Sequence, residues 1–496
     1  VQELTFDYII IGGGGAGAVL ARRLADQTNA SVALLEAGPS DEGFDALHDL
    51  GRFHELDASS ISRPVPVTLP ETRLARYTMP TSRVLGGSTS RNTSIWFRPP
   101  ASDFTDWEAK GAQGWGADAV NAHFDALERH VHIETQVPDL ASHRLMWQAA
   151  LESGFKPVDF AKPFGEGIGH YRMSKTGVVR QSSSIAYLHP ATARPKNLTV
   201  LTETDVKRLI IDENKRVAGV ETNRGIFKAN AEVILSAGAI DTPKLLMLSG
   251  IGSASDLAAH GINPIIDLPG VGQHLLDHPA ACVNLESRLP LERDAFWNYV
   301  GVVFATAAET GAWPDIEIQI GPELYVKQTR AAGYPETPYG FTAYMSVNRA
   351  RSEGSVTLAS NDPAAHPIVD TNYYSDPDGY DMRVMVESVR LVRRMFNTPA
   401  LDAWRGRELA PGDEHQSDED IAAYLRDTTL TGYHPAGTCR MGAIDDTQTV
   451  VGSDLRVKGM SNLRVADASI MPSMVSVNIA ATCMMIGHFA AERIRE

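Results

Sequence analysis

Three cysteines are few for 496 residues. Cys282, Cys439 and Cys483 are odd in number and form no C-x-x-C pair. That excludes a disulfide framework and a thiolate zinc site, and it fits a reducing compartment. Long apolar runs are also missing: no stretch approaches the about 18 consecutive apolar residues that span a bilayer. Positive charge is in deficit, with 45 Lys and Arg against 61 Asp and Glu and a formal net charge of -16. Such a field repels phosphate backbones, so nucleic acid is not an expected partner, and it offers nothing to anionic lipid. Residues 1–7 carry neither a basic region nor a small-residue cleavage pattern, and a cytoplasmic location is expected. There is no internal repeat and no low-complexity tract. What is present is ordinary globular composition, 43% hydrophobic and 21% charged. The length suits two to four domains of about 100–200 residues each.

The first 38 residues read as a βαβ unit. Residues 6–11 are a short apolar run ending in glycines. Residues 16–26 place Val19, Leu20 and Leu24 at helical spacing, and residues 31–36 form a second buried-type strand. Parallel strands joined by a helix imply a doubly wound sheet. Between strand and helix lies G-x-G-x-x-G at Gly12, Gly14 and Gly17, with Gly15 and Ala16 inside it. Glycines here permit a tight turn, close approach of backbone to a pyrophosphate, and close helix–strand packing. The helix N-terminus then offers N–H donors to phosphate. Glu36 ends the second strand, where a carboxylate can accept from an adenosine ribose and would repel a 2′-phosphate. The motif by itself does not separate FAD from NAD.

Residues 40–130, rich in Pro, Gly, Ser and Trp, read mostly as loops. Residues 196–236 hold four strand-like runs. Residues 281–430 alternate strand-like pieces with helical ones such as 381–396. The end of the chain carries a strand near 463–466 and a helix over 480–495.

Two longer segments resemble signatures of the glucose–methanol–choline (GMC) oxidoreductases. The first, residues 82–92, contains Arg83, Leu85, Gly86, Gly87, Ser88 and Asn92, followed by Thr93. The second, residues 238–252, opens at Gly238 after Ala237, has Pro243 in its first turn, and closes at Gly250 and Gly252. Further on, residues 433–438 resemble the family's catalytic His segment, residues 463–469 its strand beside the flavin ribityl chain, and Val477-Asn478 its second catalytic position. The closest flavour is choline-oxidase-like.

The resemblance implies an α/β protein with a doubly wound, Rossmann-type FAD-binding domain and an interleaved α+β substrate domain built on an antiparallel sheet. The expected FAD-binding ranges are 1–155, 196–281 and 432–496. The expected substrate ranges are 156–195 and 282–431. It further implies FAD held by the glycines above, Glu36, Ala37, Arg83, Leu85, Ser88, Asn92, Thr93, Ala237 and Gly238. Asp467 and Ala468 are expected at the ribityl chain, Asn478 and Ile479 at the pyrimidine edge, and the backbone of Val206 at the adenine.

Alcohol oxidation removes a proton from oxygen and a hydride from carbon, and the hydride leaves as alkoxide character develops. A base must face the hydroxyl while the C–H faces flavin N5. His434 is the expected base. Asn478 is the expected hydrogen-bond donor to the same oxygen. The other histidines, including His274, His278 and His488, are expected to be structural.

Two departures from the choline-oxidising pattern matter. Arg91 stands where choline oxidase links FAD through a His; a guanidinium stays protonated, so noncovalent FAD is expected. Ala280 follows Asp277-His278-Pro279 where choline enzymes place a cation-binding Glu, Gln319 replaces a further His, and the aromatic box is thin apart from Trp297. A neutral primary alcohol, aryl or heteroaryl, is the expected substrate, with oxygen as acceptor. A quinone-linked dehydrogenase and a non-redox hydroxynitrile-lyase-like member are the alternatives. Oligomeric state leaves no signature.

Overall fold

The first strand, Leu4–Ile11, buries Ile9, Ile10 and Ile11 and stands inside a seven-stranded sheet. It pairs in parallel with Gly225–Leu235 on one side and Val32–Leu35 on the other, with Leu198–Leu201 parallel beyond. All four residues of Val32–Leu35 are buried, as a parallel strand covered on both faces requires. The strand Gly225–Leu235 is long enough to serve two partners. Its first half pairs antiparallel with Val217–Thr222, and its second half pairs in parallel with Leu463–Val465. The C-terminal strand is thereby carried back into the sheet, one strand away from the first. The computed structural model describes residues 4–68, 77–189, 193–294, 299–307 and 313–495. Trp297 lies outside the described residues.

The helix Gly15–Gln27 packs against Ala480–Arg493. A Cβ at Gly487 would stand 2.1 Å from the Ala16 carbonyl oxygen, so only glycine lets these helices cross so closely. The stretch 40–130, expected to be mostly loop, contains helices Ala101–Ala109 and Ala117–His130 and paired strands Ser62–Thr68 and Thr78–Ser82. The tryptophans there are core, not loop, residues. The Trp107 and Trp115 indoles are buried and donate to the carbonyls of Ser473 (3.2 Å) and Ser453 (2.9 Å).

A second seven-stranded sheet is antiparallel throughout. Its order is Arg405–Ala410, Pro279–Ser287, Gly340–Val347, Ile316–Gly321, Gly301–Ala305 and Gly167–Gly169, with Leu430–Thr431 also on Pro279–Ser287. One face carries Ala281, Val283, Ile316, Ile318, Ile320, Ala343 and Met345, packed with Val384, Val389 and Val392 of the helix Tyr380–Phe396. Each of the fully buried Val, Ile and Met side chains among these stabilises the fold by about 1.5–3 kcal/mol. The other face is mixed in polarity and turns towards the first unit. The helix Ala141–Glu152 puts Met146, Ala149 and Ala150 into this second core. Strands Ser355–Thr357 and Ile368–Asp370 complete a four-stranded sheet with Ser62–Thr68 and Thr78–Ser82. Packing thus departs from the expected ranges at two places. The helix before 155 sits with the antiparallel sheet, and 355–370 sits with 62–82.

Candidate active site

The glycine segments converge at the C-terminal ends of the parallel strands. Gly12 has φ +100°, and a Cβ there would lie 2.4 Å from the Ser236 carbonyl oxygen; one at Gly17 would lie 1.9 Å from the Gly12 carbonyl oxygen. The turn at Gly86 and Gly87 rides on the first glycine loop. Gly86 N–H donates to the Gly13 carbonyl at 2.7 Å, and a Cβ at Gly87 would come within 2.8 Å of Gly14 Cα. Leu85 N–H donates to the Pro39 carbonyl at 3.0 Å, and Gly38 lies against the Arg83 backbone. The guanidinium of Arg83 itself points to Asp205 at 3.3 Å.

Glu36 is buried and holds this corner. Its two oxygens accept from the N–H groups of Gly13 (2.8 Å) and Gly38 (2.7 Å), while burial pushes its carboxyl above the usual range. Each oxygen keeps a further lone pair, the capacity a ribose would need.

These residues fit a dinucleotide. The helix Gly15–Gln27 starts with no side-chain cap and no acid in its first turn, which leaves its N–H groups and dipole to an anion. A Cβ at Gly238, φ +83°, would meet nothing within 4 Å. The buried carboxamide oxygen of Asn478 has no partner among the described residues, an orphan acceptor that a bound group must satisfy.

The carboxylate of Asp467, expected at the ribityl chain, is engaged within the protein. It accepts from Gly238 N–H (2.9 Å), Thr242 Oγ1 (2.6 Å), Ser469 N–H (2.8 Å) and Ser469 Oγ (2.5 Å). Four donors fill a carboxylate's lone pairs. The side chain latches the two turns together and has none left for a ribityl hydroxyl. Val206 lies on the edge strand Val206–Ile211, opposite Thr222. Ser88 and Asn92 close a turn: Asn92 N–H donates to the Ser88 carbonyl at 2.8 Å, and the Asn92 side-chain oxygen accepts from Ser94 N–H and Arg180 at 3.0 Å each.

His434 and Asn478 come together. Asn478 Nδ2 stands 3.3 Å from His434 Nε2. The opposite ring nitrogen, Nδ1, lies 2.8 Å from Nδ1 of His278. His278 was expected to be structural, and the structure makes it the direct partner of His434. Its Asp-His-Pro setting was the available signal. Burial holds the His278 ionisation down at about 4, and burial with the neighbouring His278 holds that of His434 well below the usual value, so both rings are neutral at pH 7. His278 Nε2 lies 2.9 Å from the Val475 carbonyl, which can only accept. The proton of neutral His278 is therefore on Nε2, and its Nδ1 accepts. His434 must then donate from Nδ1, which leaves the lone pair on Nε2 to accept from Asn478 Nδ2 at 3.3 Å.

Asp277 fixes both loops. One oxygen accepts from His278 N–H (2.8 Å) and His434 N–H (3.0 Å), and the other from the Tyr373 hydroxyl (2.6 Å). Tyr433, at φ +67°, is strained for a non-glycine residue. Its hydroxyl meets that of Tyr325 at 2.8 Å, and its N–H donates to Thr431 Oγ1 at 2.8 Å.

Residues 6–280 match the family model of the GMC oxidoreductase N-terminal region, and 350–487 that of the C-terminal region. The chain belongs to the GMC oxidoreductase family. It is 40% identical to choline oxidase of Arthrobacter globiformis over 522 residues, covering 100% of this chain and 95% of that protein. It is 35% identical to oxygen-dependent choline dehydrogenase of Sinorhizobium fredii, covering 98% and 95%. Its fold superposes on pyridoxine 4-oxidase from Mesorbium loti with a TM-score of 0.89 at 26% identity, covering 98% of each chain. This GMC chain is a flavoprotein of the choline-oxidase-like branch, and FAD is its cofactor. Among the described residues no helix is long and apolar enough to cross a membrane.

Proposed function

We propose that this protein oxidises primary alcohols to aldehydes and passes the electrons to oxygen. The observation that carries the reading is the unprotonated Nε2 of His434 paired with the Asn478 amide at 3.3 Å. An alcohol oxygen that comes within reach of both donates its proton to Nε2 and accepts from Asn478 Nδ2, in place of the contact between the two side chains. As the O–H bond weakens, negative charge grows on that oxygen, and the amide steadies it without competing for the proton. FAD, when bound, supplies the acceptor for the hydride released from carbon. The alcohol thus loses two electrons and two protons, and oxygen reduced by the same two electrons becomes hydrogen peroxide.

FAD is held by Gly12 to Gly17, Glu36, Ala37, the 83–93 turn, Ala237 and Gly238, with Asn478 and Ile479 at the ring. It is held without a covalent link. Ala280 lies on the strand Pro279–Ser287 opposite Ser346 and brings no charge to the site, which favours an uncharged aryl or heteroaryl alcohol over choline. The names of the relatives support oxygen as acceptor: one is a choline oxidase, one an oxygen-dependent dehydrogenase, one a pyridoxine 4-oxidase. The test is an anaerobic stopped-flow screen of alcohols followed by flavin bleaching, then peroxide assay under air. Bleaching without peroxide indicates the dehydrogenase alternative. No bleaching by any alcohol removes the reading and leaves the non-redox one.

A further inference from the structure

Glu317 is a buried carboxyl that the chemistry above does not use. In its strand, Ile316–Gly321, the isoleucines 316, 318 and 320 face the helix-packed core, so Glu317 and Gln319 face the opposite way. Register extends that face sideways: Glu317 stands opposite Ser346, and Ser346 opposite Ala280. This face meets the catalytic segment. Asn348 Nδ2 donates to the Ser476 carbonyl at 2.9 Å, two residues before Asn478, and the Tyr344 hydroxyl donates to the Thr431 carbonyl at 3.3 Å.

Glu317 is 2% exposed and accepts from two neutral amides, Gln319 Nε2 at 2.9 Å and Asn348 Nδ2 at 3.5 Å. Among the described residues no cationic side chain contributes to its ionisation, and burial pushes that up to about 7. A carboxyl has about four lone-pair sites, so this one retains unused hydrogen-bonding capacity in a place where an unpaired charge is costly. Two strand spacings of about 4.8 Å separate Ala280 from Glu317. Ala280 follows His278 by two residues, so Glu317 lies on the second strand over from the one that His278 leads into. Tyrosines lie alongside: Tyr325 packs edge-on to Tyr344 at 5.6 Å and meets Tyr433 through its hydroxyl.

We propose that Glu317 recognises the substrate by sharing a hydrogen bond with a basic ring nitrogen, so that the substrates are hydroxymethyl-substituted nitrogen heteroaromatics. This rests on the alcohol-oxidation reading. A quaternary ammonium group has no N–H to offer this carboxyl, and a plain aryl alcohol leaves it unanswered.

The experiment compares pyridin-3-ylmethanol with benzyl alcohol, which differ by one ring nitrogen, as reductants of the bound flavin. The holoenzyme should favour the pyridine alcohol by about tenfold or more in second-order reduction rate, the scale of one such hydrogen bond. In Glu317→Met the ratio should fall to about one. The pH dependence gives a second readout. Among the described residues Tyr171 is the titratable side chain coupled to Glu317, and burial raises its ionisation well above the ordinary tyrosine value. The ratio should therefore fall above neutrality as the carboxyl loses its proton, and Glu317→Gln should retain a preference that no longer varies with pH. A ratio near one in the holoenzyme, or one unmoved by Glu317→Met, overturns the assignment. Should that variant not fold, a pH-independent ratio in the holoenzyme overturns it equally. Bleaching by benzyl alcohol without bleaching by its pyridine counterpart removes the role of Glu317 and leaves alcohol oxidation standing; failure of the whole alcohol screen removes both.

Discussion

Nδ1 of His278 faces Nδ1 of His434 at 2.8 Å, with the far side of His278 fixed by the Val475 carbonyl at 2.9 Å. One carbonyl, which cannot donate, thus sets the proton positions of two rings and leaves the outward nitrogen of His434 unprotonated, as the proposed base requires. The arrangement resembles the orienting partner of a catalytic triad, with a neutral imidazole in place of a carboxylate.

His278→Ala should therefore slow flavin reduction without releasing FAD. The expected loss is on the order of 10- to 100-fold, as when an orienting partner is removed. His278→Gln should recover part of it, because an amide can accept from His434 and donate to Val475. Single-turnover reduction rates of the two variants check this. Equal losses in both would indicate that His278 only fills space.

The pH dependence follows from the direction of the His434 shift. A base works when deprotonated, and burial lowers the pKa of this one, so activity should persist below the ordinary histidine value of about 6.5. The acid limb of the reduction rate with benzyl alcohol should lie below pH 6.5, with a plateau through neutrality. In His434→Ala the rate should drop by about 100-fold or more, from loss of the base, and lose that limb. A limb at or above pH 7 would mean that the ring is solvated when the substrate binds.

Much of this was legible in the sequence, and the reasons differ by region. The glycine loop, Glu36 and the turn at 86–87 could be read because backbone contacts demand glycine at fixed spacing, and the contacts to Ser236, Gly14 and Gly12 bear that demand out. The doubly wound sheet followed from strand–helix–strand periodicity. The helices Ala101–Ala109 and Ala117–His130 were missed because tryptophans and glycines around them read as loop, whereas the tryptophans are anchored to carbonyls more than 300 residues away in the chain. The same limit hid His278, whose meaning comes from a residue 156 positions away. Glu317 was hidden because alternation along a strand does not say which face meets a site. The fully engaged carboxylate of Asp467 could not be counted before its four donors were placed.

Gly87→Ala should separate cofactor binding from folding. Gly87 has φ +53°, and an added Cβ would sit 2.8 Å from Gly14 Cα, so the 86–87 turn must lift away from the loop at the head of the helix Gly15–Gln27. The protein should keep its far-ultraviolet circular dichroism and purify with little flavin, read as a lowered ratio of absorbance at the flavin band to that of protein. A fully loaded variant would mean that the two loops part without cost.

Asp467→Asn should destabilise the turns at 238 and 469. The amide nitrogen replaces an acceptor with a donor against two existing donors, so at least one N–H or hydroxyl is left buried and unpaired. The expected cost is about 1–3 kcal/mol. Thermal unfolding of the variant should show a lower midpoint at equal flavin content, and an unchanged midpoint would count against the latch.

Acid precipitation should leave all the flavin in the supernatant. Covalent attachment needs a nucleophile at the ring, and the position that would supply one is Arg91. Its guanidinium pairs with Asp57 and donates to the Thr81 carbonyl at 3.1 Å, and a delocalised guanidinium is a poor nucleophile. Cys483 lies near the glycine loop, 3.5 Å from where a Cβ on Gly15 would stand, but burial pushes its thiol up to about 12, so no thiolate is present to attack. Introducing a nucleophile by Arg91→His should, if the ring lies where the glycine turn places it, move part of the yellow colour into the pellet. Flavin in the pellet of the unaltered protein would show a linkage through a residue other than these two.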